Sequence, residues 1–151
     1  MQKITPFLWF DGKAAEAIEF YSSIFKNSRV DSLMPGPNGQ LMGASFTLDG
    51  QAFMALNGGP MFQFTPAISM YVNCESQEEV DHYWQRLGEG GSYQPCGWLK
   101  DRYGLSWQII PAAMSRMLQD NDRTRAARVM QAMMKMGKID IAALQAAYDG
   151  A

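Results

Sequence analysis

Asp101-Arg-Tyr-Gly-Leu-Ser-Trp-Gln-Ile-Ile-Pro111 decides how the chain is read. It predicts a turn ending at Gly104, then a strand from Leu105 to Ile110. Pro111 should stop that strand, because proline cannot donate to a sheet ladder. Alternation puts Leu105, Trp107 and Ile109 on one face and Ser106, Gln108 and Ile110 on the other. The first face is wholly apolar and should pack on helices. The second carries a hydroxyl and an amide on an otherwise buried element. Such groups need partners, and a ligand can be one.

Working back from this strand, Ala67 to Cys74 reads as a strand and Ser76-Gln-Glu-Glu79 as a capping box. A helix should follow to about Leu87, with Val80, Tyr83, Trp84 and Leu87 apolar, and Gly88 to Gly91 should end it. Tyr93 to Lys100 is the next strand. The first half of the chain has the same order. Ile4 to Phe10 is a strand, and Lys13 to Phe25 a helix with Ala14, Ala17, Ile18, Tyr21 and Phe25 along one side. Arg29 to Met34 is a strand, and Pro35-Gly-Pro-Asn-Gly39 a loop. Leu41 to Leu48 and Gln51 to Leu56 form a hairpin turned at Asp49-Gly50. Asn57-Gly-Gly-Pro60 is a strand-ending turn, and residues 61–66 are a linker. Laying one half on the other pairs Trp9 with Tyr71, Ile18 with Val80, Gly50 with Gly104 and Phe53 with Trp107. The repeat is one of pattern more than of residues, and it fixes the architecture.

The end of the chain departs from the repeat. Asp122 should cap a helix carrying Ala126, Val129, Met130 and Met133, ended by Gly137. Asp140 should cap a second, with Ile139 and Leu144 as a hydrophobic staple. The face formed by Ala126, Val129, Met130, Met133 and Gly137 is expected to bury against a second subunit.

Composition narrows the functional classes. At 151 residues the chain is long enough for a real core. A formal net charge of −2 gives no basic stripe for nucleic acid. No apolar run approaches a membrane span, and the first residues lack the apolar core of a signal peptide. Two cysteines, Cys74 and Cys96, make no disulfide framework, so the expected setting is the reduced cytoplasm. The 12 methionines are read as adaptable core and interface filling.

Two tandem βαβββ modules, an α+β architecture, resemble the vicinal oxygen chelate superfamily, which includes the glyoxalase, bleomycin-resistance and extradiol-dioxygenase folds. Within it the chain is most similar to the PhnB-like family, whose members carry a demethylubiquinone methyltransferase label. The resemblance rests on five stretches: Ile4-Thr-Pro-Phe-Leu-Trp-Phe-Asp-Gly12, Phe53-Met-Ala-Leu-Asn-Gly-Gly-Pro60, Cys96-Gly-Trp-Leu-Lys-Asp101, Gly104-Leu-Ser-Trp-Gln-Ile-Ile-Pro111 and the tail around Lys138-Ile-Asp-Ile141. It implies a vicinal-oxygen-chelate domain over residues 1–113, with modules of about 1–60 and 67–113, and a helical extension over 114–151. It also implies paired subunits.

In the metal-dependent members a metal sits between the modules, held by His or Glu on the first and last strands. Here those positions hold Thr5, Met54, Ala67 and Gln108. Alanine cannot coordinate, a thioether suits soft metals, and a hydroxyl or amide is weak without charged company. No metal and no cofactor is therefore expected. The lone His82 falls mid-helix, where a surface or packing role is expected. Cys96 has no histidine beside it in sequence to act as a base, and it reads as a buried thiol. No Gly-rich turn follows a strand, as the usual nucleotide-type methyl donor would require.

Strand parity gathers Phe7, Trp9, Met54, Ser69, Tyr71, Ser106 and Gln108 on the cavity face as expected ligand-binding residues, beside Thr5 and Leu56. This is an aromatic and apolar cup with a few polar groups. The first functional expectation is a protein that binds an unidentified aromatic or amphipathic small molecule as a homodimer, without nucleic acid or membrane. An enzyme acting on a quinone-like or vicinal-oxygen substrate is the second. The third is a structural dimer with a vestigial pocket.

Overall fold

A computed structural model describes residues 2–151, so the expected module start at residue 1 lies outside the described residues. The chain forms two compact units, Met1–Phe64 and Thr65–Ala151, dividing inside the stretch read as linker.

The first unit runs β1 (Phe7–Phe10), α1 (Ala14–Ile24), β2 (Arg29–Pro35), β3 (Leu41–Leu48) and β4 (Gln51–Asn57). Its sheet has the order β1-β4-β3-β2, with β1 parallel to β4 and the other pairs antiparallel. Leu8, Phe10, Ala44, Phe46, Leu48, Phe53 and Ala55 are buried on one face. Helix α1 covers that face with Ala14, Ala17, Ile18, Tyr21 and Ile24. Phe46 and Phe53, opposite each other across β3 and β4, stack with ring centroids 5.4 Å apart.

The start of α1 is fastened from a distance. Lys13 offers no side-chain cap. Instead Asn57 Oδ1 accepts from the Ala14 amide at 2.9 Å, and Asn57 Nδ2 donates to the Leu41 carbonyl at 2.9 Å. One side chain thus ties the end of β4 to the starts of α1 and β3 and satisfies an orphan helix donor.

The second unit repeats the topology with β5 (Ser69–Cys74), α2 (Gln77–Gly88), β6 (Ser92–Tyr93), β7 (Trp98–Lys100) and β8 (Ser106–Pro111), in the order β5-β8-β7-β6. Three helices follow: α3 (Ala112–Leu118), α4 (Arg123–Met133) and α5 (Ile141–Asp149). The tandem α+β architecture is the one expected. The caps at Ser76, Asp122 and Asp140 all form, and both staple residues, Ile139 and Leu144, are fully buried.

Several boundaries differ from the expectations. β1 starts at Phe7 because Pro6 interrupts the run, leaving Ile4 87% exposed. The strand expected over 93–100 is broken by a turn at Pro95–Gly97, where Cys96 adopts φ +63°. β8 extends through Pro111, the last position of its ladder with β5, and α3 begins directly after it. Helix α4 ends at Met133, before Gly137. Carried over by the pairings Trp9–Tyr71 and Phe53–Trp107, the Phe7–Met54 register of the first sheet would set Ser69 opposite Gln108. In the structure Ser69 lies opposite Ser106 and Tyr71 opposite Gln108. That slip of two residues keeps each side chain on its expected face.

Part of the α4 face expected to seek a second subunit is buried within its own unit. Val129 packs with Ile110, Met114, Met117, Ile139 and Leu144 in one buried cluster of its own unit. The loop after α4 is pinned to the sheet, with the Cys96 and Gly97 amides donating to Met136 O and Gly137 O. Gly97 has φ +81°, and a Cβ there would lie 2.9 Å from Ile110 Cδ1 and 3.1 Å from the Ile109 carbonyl, so a larger residue would be strained. From α2, Gln77 donates to the Ile139 carbonyl and accepts from the Ile141 amide, and Asp81 pairs with Lys138 at 2.9 Å. The apolar stripe found its partner in cis, leaving Met130 and Met134 on the outside.

The turn in the deciding stretch is built on Asp101, whose residue is only 3% exposed. Its Oδ1 accepts from the Tyr103 and Leu105 amides, and its Oδ2 from Trp107 Nε1 at 2.9 Å. Asp101→Ala leaves the buried Leu105 and Trp107 donors without this acceptor. It should cost about 3 kcal/mol or more, at 1–3 kcal/mol per unsatisfied buried group. Denaturant unfolding should show a lower midpoint at an unchanged slope, with Asp101→Asn falling between the two.

Candidate functional site

Each sheet has one face covered by its module's helix and one facing away. On the first sheet the uncovered face carries Phe7 and Met54, side by side in the β1–β4 register. Across β4, Ser45 lies beside Met54, and β2 adds Ser32 opposite Ser45 and Met34 opposite Gly43. These residues, with Leu33, Pro35, Met42 and Leu56, line a concavity of about 470 Å³. Phe7, Met34, Met42 and Met54 are all exposed.

The chemistry of this lining is uniform. None of the described residues that line it carries a charged or titratable side chain. Its side-chain polar groups are the hydroxyls of Ser32 and Ser45, bonded to each other at 2.6 Å. Asp31, next to Ser32, turns elsewhere. It accepts from the Thr47 hydroxyl at 2.6 Å and from Arg29 Nε at 2.7 Å. The Thr47 bond above all, then Arg29, holds its carboxyl below the usual range despite some opposing desolvation.

Trp9, expected in the cup, is engaged by the strap that follows β4. Its indole N–H donates to Gly59 O at 2.8 Å, and its ring meets Phe62 edge-on at 4.9 Å. A Cβ on Gly58 would sit 2.4 Å from the indole, so glycine is required there. Trp9 is therefore absent from the lining of the concavity and packs under its own strap.

On the second sheet, Ser69, Tyr71, Ser106 and Gln108 share the face away from α2. Gln108 Nε2 donates to Ser69 Oγ at 3.0 Å. The Tyr71 hydroxyl lies 3.0 Å from Ser115 Oγ on α3. Ser106 is fully buried, and among the described residues its hydroxyl has no hydrogen-bond partner. The seven expected residues thus fall into an apolar pair on the first sheet, a polar set on the second in which all but Ser106 are hydrogen-bonded, and Trp9 under its strap. Sequence reasoning missed Ser32, Met34, Met42 and Ser45. The alternation of β2 and β3 carries the signal for Ser32, Met34 and Ser45, but not for Met42, which has the parity of Ala44 and Phe46.

The donor set does not suit a divalent metal. Ala67 has no donor atom, Met54 offers a thioether, and the Gln108 amide is turned to Ser69. Among the described residues, no three His, Cys, Asp or Glu side chains are grouped to hold an ion. His82 is exposed on α2, with its ring 4.9 Å from that of Tyr83.

This paired βαβββ arrangement is that of the vicinal oxygen chelate superfamily. The chain belongs to the PhnB-like family described as 3-demethylubiquinone-9 3-methyltransferase, whose model matches residues 2–110. A PhnB protein of Bacillus cereus carrying that methyltransferase name is 40% identical, with a TM-score of 0.70 over 74% of this chain and 100% of its own. A protein of Pseudomonas aeruginosa is 24% identical, with a TM-score of 0.61 over 74% of this chain and 98% of its own. The fosfomycin resistance protein FosX of Listeria monocytogenes is 16% identical, with a TM-score of 0.55 over 74% and 93%. The last two show the fold alone. No curated protein matches the chain.

The two thiols should behave differently. Cys74 is fully buried, and its pKa is pushed up to about 12, first by burial and then by Glu79 and Glu75. Cys96 is partly exposed. A thiol-reactive disulfide reagent at pH 8 should modify Cys96 and spare Cys74 until the protein unfolds. Because the folded pKa of Cys74 is raised, its contribution to stability is present below the ordinary thiol pKa. It is lost as pH rises from about 9 towards 12. Cys74→Ala should flatten that decline in pH-dependent unfolding.

Proposed function

We propose that this protein binds a small, mainly apolar molecule on the uncovered face of its first sheet and performs no acid–base chemistry there. The uncharged concavity of about 470 Å³ carries the reading, since its size and apolar lining are those of a ligand site. An enzyme acting on a quinone-like substrate would need a group able to hold or move a proton, and the lining offers two serine hydroxyls. Methyl transfer, which the family's description names, has no matching element here. The β1–α1 turn contains the single glycine Gly12, and each sheet has only one parallel pair. A methyl donor of the nucleotide type is held on a doubly wound parallel sheet by a Gly-rich turn.

Phe7 and Met54 are exposed, so Phe7→Ala and Met54→Lys should change stability by no more than about 0.5 kcal/mol. They isolate binding from folding. Both should lose the small molecule detected by native mass spectrometry of the purified wild-type protein, or the apolar fragments found by thermal-shift screening. Retention in both variants would remove the site.

The homodimer rests on a different surface from the one read in the sequence. Edge strand β2 is exposed along its whole length and leaves Val30, Leu33 and Met34 uncovered. Exposed apolar residues on an edge strand invite pairing, here on the stretch between the irregularities at Val30/Ser32 and Met34/Pro35. Light scattering at micromolar concentration should give a dimer for the full chain and a monomer for Val30→Lys. A monomeric wild type would end this reading. No helix among the described residues is long and apolar enough to cross a membrane. The free thiols of Cys74 and Cys96 support the reducing, cytoplasmic setting.

A further inference from the structure

We infer that the ligand class of the first-sheet concavity is an uncharged, flat aromatic carrying one hydrogen-bonding group, an inference that rests on the binding reading above. The argument begins with what the lining lacks. A carboxylate, phosphonate or ammonium placed there would lose hydration and meet no opposite charge, a heavy penalty for any ion. The exclusion is informative because structures of the FosX neighbour were obtained with Mn(II) and a phosphonic acid. The fold therefore does not dictate a neutral ligand; these side chains do.

The side chains that are present favour an aromatic ring. Phe7 lies beside Met54 in the β1–β4 register, and Met34 and Met42 complete the apolar lining. A thioether is polarizable and makes favourable contact with ring edges, while a phenyl group takes another ring edge-on or offset. Methionine also has three rotatable bonds, so exposed methionines can adjust to a flat guest.

One polar station stands in this apolar field. Ser32 Oγ and Ser45 Oγ share one hydrogen bond at 2.6 Å. In such a pair one hydroxyl proton is used between the two, and the other remains to be donated onward; lone pairs remain as well. The pair can serve one hydroxyl or carbonyl group of a ligand.

The test uses the full-length protein with ε-¹³C-methyl methionine and three naphthalene probes at pH 7: 2-naphthol, 2-naphthoate and 2-naphthylmethylammonium. trans-2-Decalol serves as the saturated analogue. The signals of Met34, Met42 and Met54 are assigned by single Met→Leu changes. 2-Naphthol should shift all three with ring-current displacements and bind at least tenfold tighter than either ion and than the decalol. An ion that shifts these methyls at equal or lower concentration overturns the neutral class and leaves the binding reading standing. Equal binding of the decalol overturns the aromatic requirement alone. Silence of the three methyls with all four probes overturns both this inference and the binding reading. With naphthalene as a fifth probe, the wild type should prefer 2-naphthol and Ser45→Ala should remove that preference; no preference in the wild type, or an unchanged one in Ser45→Ala, overturns the polar station.

Discussion

The carboxylate of Asp101 is the constraint on which the second module depends. It is buried, and it accepts from two amides of its own turn and from the indole of Trp107. A buried carboxylate is costly unless its oxygens are satisfied. Here satisfying them also closes the β7–β8 connection, since the Asp101 amide donates back to Leu105 O and Gly104 N to Asp101 O. Trp107 is thereby locked on the α2 side of β8. Once Trp107 is placed, alternation places the rest: Ser106 and Gln108 face away from the helix, and Ile110 points to the C-terminal cluster. A polar residue outside any regular strand thus sets the facing of the most buried strand in its module.

The two modules share a topology but present different chemistry. In the first, the concavity on the face away from the helix has an apolar, uncharged lining with two bonded hydroxyls in one spot. In the second, the equivalent strands carry Ser69 bonded to Gln108, Tyr71 bonded to Ser115, and the buried Ser106. Core faces are conserved in kind because both must receive an amphipathic helix. The other faces have no such common requirement. A repeated fold supplies two sheets, and function is written on the faces that packing leaves uncommitted.

Much of this was legible in the chain. The Asp49-Gly50 hairpin, the caps at Ser76, Asp122 and Asp140, and the Ile139–Leu144 staple are local devices, set by residues a few positions apart. What resisted reading was non-local. Nothing near Trp9 says that Gly58 and Phe62 will close over it, because those residues arrive only after β4 returns beside β1. Asn57 looked like turn chemistry, and its side chain instead serves the start of α1. The register slip in the second sheet was invisible because a shift of two residues preserves the alternation used to find it. Likewise the stripe on α4 was read correctly as a face needing cover, but sequence periodicity cannot say which surface provides it.

That cover comes from the point where the family pattern stops. The family model ends at Ile110, and Ile110 is also a member of the cluster that buries Val129, Ile139 and Leu144. The extension then reaches backbone groups left open by the Pro95–Gly97 turn, taking the amides of Cys96 and Gly97 onto Met136 O and Gly137 O. Gln77, at the first turn of α2, closes the circuit on Ile139 and Ile141. Each of these groups would otherwise need water or another partner. A chain of this family that ended near Ile110 would have to satisfy them differently, or carry other residues at these positions. The tail is therefore better understood as the completion of the second module than as an appendage to it, because its core, its backbone bonds and its clamps at Gln77 and Asp81 all begin inside the βαβββ unit.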